Sequence, residues 1–190
     1  ALVNRSKTEA DAVSAEVSAG LSGTGVSYLD ATKLIPALAG ASHVGGAAIV
    51  QALVSSDVNV LALVVRTLPA MLDLAGSKKS EMSSAGSAAV EAICEAVTAE
   101  SYPNILPYLI EACSVHKAPA TRLLALSKIA FFRTKAPEES FQCMNLLVPV
   151  LSACMTDSKK DVKEGAIAAM AAVSEVIGNN AIEPALPDLQ

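Results

Sequence analysis

The chain has 190 residues, 52% of them hydrophobic but only 3% aromatic, and no Trp; that length carries one core or a short array of repeats sharing one, and an apolar content of mostly Ala, Val and Leu suits closely packed helices. Fourteen Lys and Arg against 19 Asp and Glu leave a net charge of −5, which excludes wholesale phosphate neutralisation and confines any basic surface to a local patch. The longest apolar stretch, Val58 to Leu74, is broken by Asn59, Arg66, Pro69 and Asp73, so no membrane span is readable.

In chain order, Ala1 opens the sequence with no signal or transit peptide after it, so the expectation is a removed leader or a longer parent chain. Ser6 to Leu21 reads as a helix, and residues 1–23 as an N-terminal helix and linker. The run Gly20-Leu21-Ser22-Gly23-Thr24-Gly25 lacks the Gly-Lys-Ser/Thr ending of a phosphate loop, and no strand precedes it. From residue 24 the pattern repeats. An apolar residue precedes Pro inside a helical stretch at Ile35-Pro36, Leu68-Pro69, Leu106-Pro107, Val148-Pro149 and Leu186-Pro187, with successive prolines 33, 38, 42 and 38 residues apart. In such a helix Pro removes a backbone donor and bends the axis over its neighbour.

A second pattern trails each of the first four prolines. It is clearest in Val162-Lys163-x-x-Ala166-x-x-Ala169-Met170-x-x-Val173, and recurs from Thr121 to Phe132, from Met82 to Ile93 and, more loosely, from Val44 to Ala52. Its three- and four-residue spacing makes one buried stripe, and the small residue at its centre (Ala48, Gly86, Ala125, Ala166) permits close helix approach. Gly76-Ser77-Lys78-Lys79, His116-Lys117-Ala118-Pro119 and Thr156-Asp157-Ser158-Lys159 supply the residues that stop one helix and start the next. Paired helices at a period near 40 predict an all-α fold, an α-solenoid of HEAT/armadillo-type helical hairpin repeats. Four repeats are expected over 24–178. Residues 179–190 then form the first helix of an incomplete fifth, whose open face at Ile182, Leu186 and Leu189 calls for a continuing chain or a protein partner. The expected core comprises Leu68, Val90, Ile93, Leu106, Leu109, Leu123, Ile129, Leu147, Leu151, Ile167, Met170 and Val173.

Catalytic chemistry has little to draw on. His43 and His116, the two histidines, both fall in turns, and Glu138 and Glu139 are adjacent at a helix start, where they complement the dipole. Cys94, Cys113, Cys143 and Cys154 form no CxxC pair and read as small core residues of a reducing, intracellular compartment. The sequence thus yields no catalytic residue, cofactor site or metal site, and predicts a non-enzyme. Its outstanding feature is basic: Lys78, Lys79, Lys117, Lys159 and Lys160 lie in or beside the inter-helix turns, with Arg122 and Lys163 close behind. Equivalent turns of stacked repeats share an edge, so these lysines are the candidate partner-binding residues, suited to an RNA backbone or an acidic protein.

Asp157-Ser-Lys-Lys-Asp-Val-Lys-Glu-Gly-Ala-Ile-Ala-Ala-Met170, followed by Asn179-Asn-Ala-Ile-Glu-Pro-Ala-Leu-Pro187, resembles the N-terminal HEAT region of translation elongation factor three, as do the Leu-Pro helices Asn104-Ile-Leu-Pro-Tyr-Leu-Ile110 and Leu146-Leu-Val-Pro-Val-Leu151. The resemblance implies a ribosome-associated module, since in that family the region precedes two ATP-binding cassettes and contacts the ribosome. No cassette is present in these 190 residues. The alternative is a stand-alone scaffold subunit of a larger assembly, in the cytoplasm or, after leader cleavage, in an organelle.

Overall fold

The structure is a computed structural model that describes residues 44–56 and 61–177. The N-terminal helix and linker, Ile35-Pro36, His43 and the 179–190 segment with Ile182, Leu186 and Leu189 lie outside the described residues. Helix α1 (Val44–Ser56) falls where the sequence pattern sets the second helix of its first repeat. The first helix of the second repeat is assembled from α2 (Leu61–Val64), a 3₁₀ turn (Val65–Thr67) and α3 (Leu68–Ala75), and its partner is α4 (Ser80–Ala96). The third repeat enters through a 3₁₀ turn (Ala99–Ser101) into α5 (Tyr102–Val115) and returns along α6 (Pro119–Lys135). The fourth comprises α7 (Pro137–Gln142), α8 (Met144–Cys154) and α9 (Lys160–Ile177). Among the described residues there is no strand, and the fold is all-α, a run of helical hairpins of the solenoid class.

Among the described residues the hairpins form two compact bodies that divide between Val97 and Thr98. In the first, α1 and α3 both pack on α4. In the second, the first helices α5 and α8 lie side by side in one layer, the second helices α6 and α9 in the other, and each hairpin closes the layers on itself. Pro107 and Pro149 sit inside α5 and α8 as the spacing predicts. Pro69 instead lies in the first turn of α3, where its missing N–H has no intrahelical partner to lose. The chain reaches it through the 3₁₀ turn, so the second repeat breaks its first helix where the third and fourth carry the proline within.

The buried stripes hold residue by residue in α9, where Val162, Ala166, Ala169, Met170 and Val173 are all buried. In α6 the stripe is Thr121, Ala125, Ile129 and Phe132, joined by Lys128, whose ammonium lies 5.6 Å from the Phe131 ring centroid while its stem is buried. Tyr102 of α5 stacks on Phe132 at 4.5 Å between centroids, tying the two helices of the third repeat. Three expectations fail. Leu123 is 38% exposed and Ile167 43% exposed. Each is two positions or one from a stripe residue, which at 100° per residue carries it round the helix to the outer flank. Ala48 is exposed as well, because α1 buries Gly45, Gly46, Ala47, Ile49, Val50 and Leu53 and its stripe runs one residue ahead of the template.

Candidate partner-binding turns

The three described turns between first and second helices are built to one plan. Each opens with a side chain that accepts the backbone N–H two residues on: Ser77 Oγ from Lys79 at 3.2 Å, His116 Nδ1 from Ala118 at 3.1 Å, and Asp157 Oδ1 from Lys159 at 2.8 Å. The residue so fixed then offers its carbonyl to the first intrahelical bond. Lys79 accepts from Ser83 N–H at 2.9 Å, Ala118 from Arg122 at 3.3 Å and Lys159 from Lys163 at 3.0 Å. Lys79 and Ala118 are extended, at φ −83°, ψ 117° and φ −81°, ψ 120°, as helix N-caps are.

The plan locates the five lysines. Lys78 and Lys117 occupy the middle of their turns, Lys79 and Lys159 the N-cap, and Lys160 the first helical position, and all are exposed. The local hydrogen bonding is done by Ser77, His116 and Asp157 and by backbone, so no lysine ammonium is needed to hold a turn. Lys160 meets Glu164 one turn along at 3.6 Å, an exposed pair of little energetic weight.

In the second body the structure brings two turns together through a link that sequence reasoning missed. Arg122 Nη1 donates to the His116 carbonyl at 2.7 Å, its Nη2 donates to Asp157 Oδ1 at 3.1 Å, and its Nε stands 3.0 Å from Asp157 Oδ2. The guanidinium thus spans from its own turn, which carries Lys117, to that of the next repeat, which carries Lys159 and Lys160. Lys78 and Lys79 share the turn of the first body. The Lys159 N–H, and then Arg122, hold the Asp157 carboxyl below the usual carboxylate range. His116, read from sequence as a turn residue, is half-buried and structural, with both its ring and its carbonyl engaged. The signal for the clip was present in the 35 residues from Arg122 to Asp157, close to one repeat, which places both on the same edge.

Cys94, Cys113 and Cys154 are buried and Cys143 is half-buried. Glu138 and Glu139 stand in the first turn of α7. Among the described residues no group of three His, Cys, Asp or Glu side chains could hold a metal ion, and no helix is long and apolar enough to cross a membrane.

Residues 10–170 match the family described as EF3 N-terminal HEAT repeat. Elongation factor 3 of Zygosaccharomyces rouxii is 32% identical over 160 residues, 84% of this chain and 15% of that protein. Elongation factor 3B of Saccharomyces cerevisiae is 32% identical over 126 residues, 66% of this chain and 12% of its own length. Elongation factor 3 of Phytophthora infestans is 33% identical over 130 residues, 68% of this chain and 12% of that protein. The chain thus spans 12 to 15% of the length of these relatives. Among solved structures, a chain from work on microtubule plus-end tracking by XMAP215, CLIP-170 and EB1 superposes with a TM-score of 0.64 at 18% identity, covering 96% of this chain and 78% of that one. At that identity the likeness speaks for the fold.

Proposed function

The chain belongs to the EF3 N-terminal HEAT repeat family, and from that premise we propose that it is a non-catalytic binding module that docks on the ribosome through its lysine-bearing turns. The observation that carries this reading is the common plan of the turns: Ser77, His116 and Asp157 do the local hydrogen bonding, so Lys78, Lys79, Lys117, Lys159 and Lys160 stand exposed with no structural duty. Exposed positive charge on hydrogen-bonded turns in an otherwise acidic protein suits a phosphate backbone, whose capture releases counterions and weakens as salt rises. The relatives are elongation factors, which favours a role in translation and a cytoplasmic location for the protein that carries this module.

Co-sedimentation with ribosomes tests it. Replacing the five lysines with Ser should reduce recovery in the ribosomal pellet, and the wild-type protein should leave the pellet as salt is raised. Equal recovery of both forms at every salt concentration would remove the lysines from the interface. The other reading, a helical scaffold subunit of a larger assembly, would then draw on exposed apolar side chains such as Val115 and Leu146.

A further inference from the structure

We propose that Cys113 and Cys154 are a reversible redox pair which, oxidised by a peroxide, forms an intrachain disulfide that staples the third repeat to the fourth. Cys113 lies in the last turn of α5 and Cys154 is the final residue of α8, the neighbouring first helix of the next repeat. They are 41 residues apart, one repeat, and the Cys154 thiol donates to the Cys113 carbonyl oxygen at 3.5 Å. Both are buried, at 1% and 6% exposure. The contact sets the two cysteines against each other on neighbouring helices, and the bond itself calls for a Cα separation of about 4.4 to 6.8 Å.

Of the two sulfurs Cys154 is the more accessible, at 6% against 1% exposure. The neighbouring Cys113 thiol, and then the Arg122 guanidinium, favour its thiolate against burial and Asp157, whereas Cys113 donates its own thiol proton to the Ile110 carbonyl at 3.3 Å. Cys154 therefore meets the oxidant first, giving up its bond to the Cys113 carbonyl as it ionises, and Cys113 resolves it. The Cys154 thiolate attacks hydrogen peroxide, the O–O bond breaks, the sulfur becomes a sulfenic acid, and the departing hydroxide takes a proton to leave as water. Cys113 then gives up its proton as its sulfur attacks that of Cys154, and the sulfenic oxygen leaves as a second water. Two thiols and one peroxide become one disulfide and two waters. Cys143, the half-buried competitor, has its thiol pushed up by burial and by Glu139, so it offers less thiolate.

The full chain is treated with hydrogen peroxide in its native state, remaining thiols are alkylated, and the digest is read by mass spectrometry beside non-reducing gels. The expected result is a monomer carrying a Cys113–Cys154 cross-linked peptide two hydrogens lighter than its parts, restored by dithiothreitol and retained in Cys143→Ser. Closing so long a loop should raise the melting temperature of the oxidised form by roughly 5 to 15 °C over the same protein reduced. That comparison needs no variant to fold, and Cys113→Ser and Cys154→Ser should lose the cross-link. Links between chains only, a sulfinic acid at Cys154 without a cross-link, or two thiols still alkylatable after native-state oxidation would each overturn the proposal.

Discussion

The hairpins of the two bodies make the same contact with different residues at its centre. In the first body Gly86 holds the middle of the α4 stripe. A Cβ there would lie 2.4 Å from the Ala75 nitrogen, 2.8 Å from the Leu74 carbonyl carbon and 2.9 Å from the Met71 carbonyl oxygen. Helices α3 and α4 therefore meet backbone to backbone. In the second body the equivalent positions hold Ala125 and Ala166, each 0% exposed, with a methyl group filling the gap. The repeat decides which residue faces the partner helix, and the size of that residue decides how closely the two helices approach.

The largest expected effect comes from the second body, where spacing is kept by large side chains. Phe132→Ala removes a fully buried ring together with its stack on Tyr102 and should cost about 3 to 5 kcal/mol; Ile129→Ala should cost about 2 to 5 kcal/mol. Urea unfolding of each variant checks this, and a cost near zero for either would place the α6 stripe out of phase.

Gly86→Ala comes next and tests the comparison directly. The methyl would overlap backbone atoms, which cannot swing aside as a side chain can, so α3 and α4 must separate, and the cost should be about 1 to 3 kcal/mol. Ala166→Gly, the reverse change in the other body, should cost only about 1 kcal/mol, mostly helix propensity. If Gly86→Ala melts like the wild type, the two hairpins have the same spacing and the contrast between them fails.

How much of this was legible before the structure depends on the range of the interaction. Val162, Ala166, Ala169, Met170 and Val173 declare themselves by spacing, because helix geometry alone puts them on one face. Leu123 and Ile167 mislead because they are as apolar as core residues yet stand off the phase of their stripes. Leu123 has its own contact, its Cδ1 lying 2.5 Å from where a Cβ on Gly165 would stand, so it covers the α9 backbone from the flank while staying 38% exposed. The position of the lysines in turns could be read from the breaks between stripes. What could not be read is that Ser77, His116 and Asp157 are equivalent, since hydroxyl, imidazole and carboxylate share no residue type, only an acceptor atom two or three bonds from Cα.

A smaller effect separates the two bodies by pH. Asp157 accepts from the Lys159 N–H and pairs with Arg122, so its folded-state acidity is raised and its pKa lies below the unfolded value. A carboxylate with a depressed folded pKa stabilises the fold fully above the unfolded pKa of about 3.9, and that contribution disappears as pH falls through the folded value. The turn of the first body uses Ser77 in the same place and has no such titration. Thermal melts from pH 6 down to pH 3 should show Asp157→Asn converging on the wild type at the acid end and lagging behind it above about pH 4. Parallel curves over the whole range would mean that the clip does not contribute to folding.

The smallest expected effect belongs to the lysines, and its smallness is the point on which the two bodies should agree. In each turn the fold is held by an acceptor side chain and by main-chain bonds, so substituting Lys78, Lys79, Lys117, Lys159 and Lys160 together with Ser removes no bond that closes a turn. The Lys160 to Glu164 pair is lost, but with side chains 83% and 61% exposed it should matter little. In the other direction, Ser is a better N-cap than Lys, and two of the five, Lys79 and Lys159, stand at N-caps without a capping side chain of their own. The five-fold variant should therefore unfold within about 0.5 kcal/mol of the wild type, or up to about 1 kcal/mol later, in urea. Such a result alongside lost ribosome recovery would assign the lysines to binding alone. A clear loss of stability would instead make them part of the turn architecture, and the binding defect of the same variant would then report unfolding rather than a missing contact.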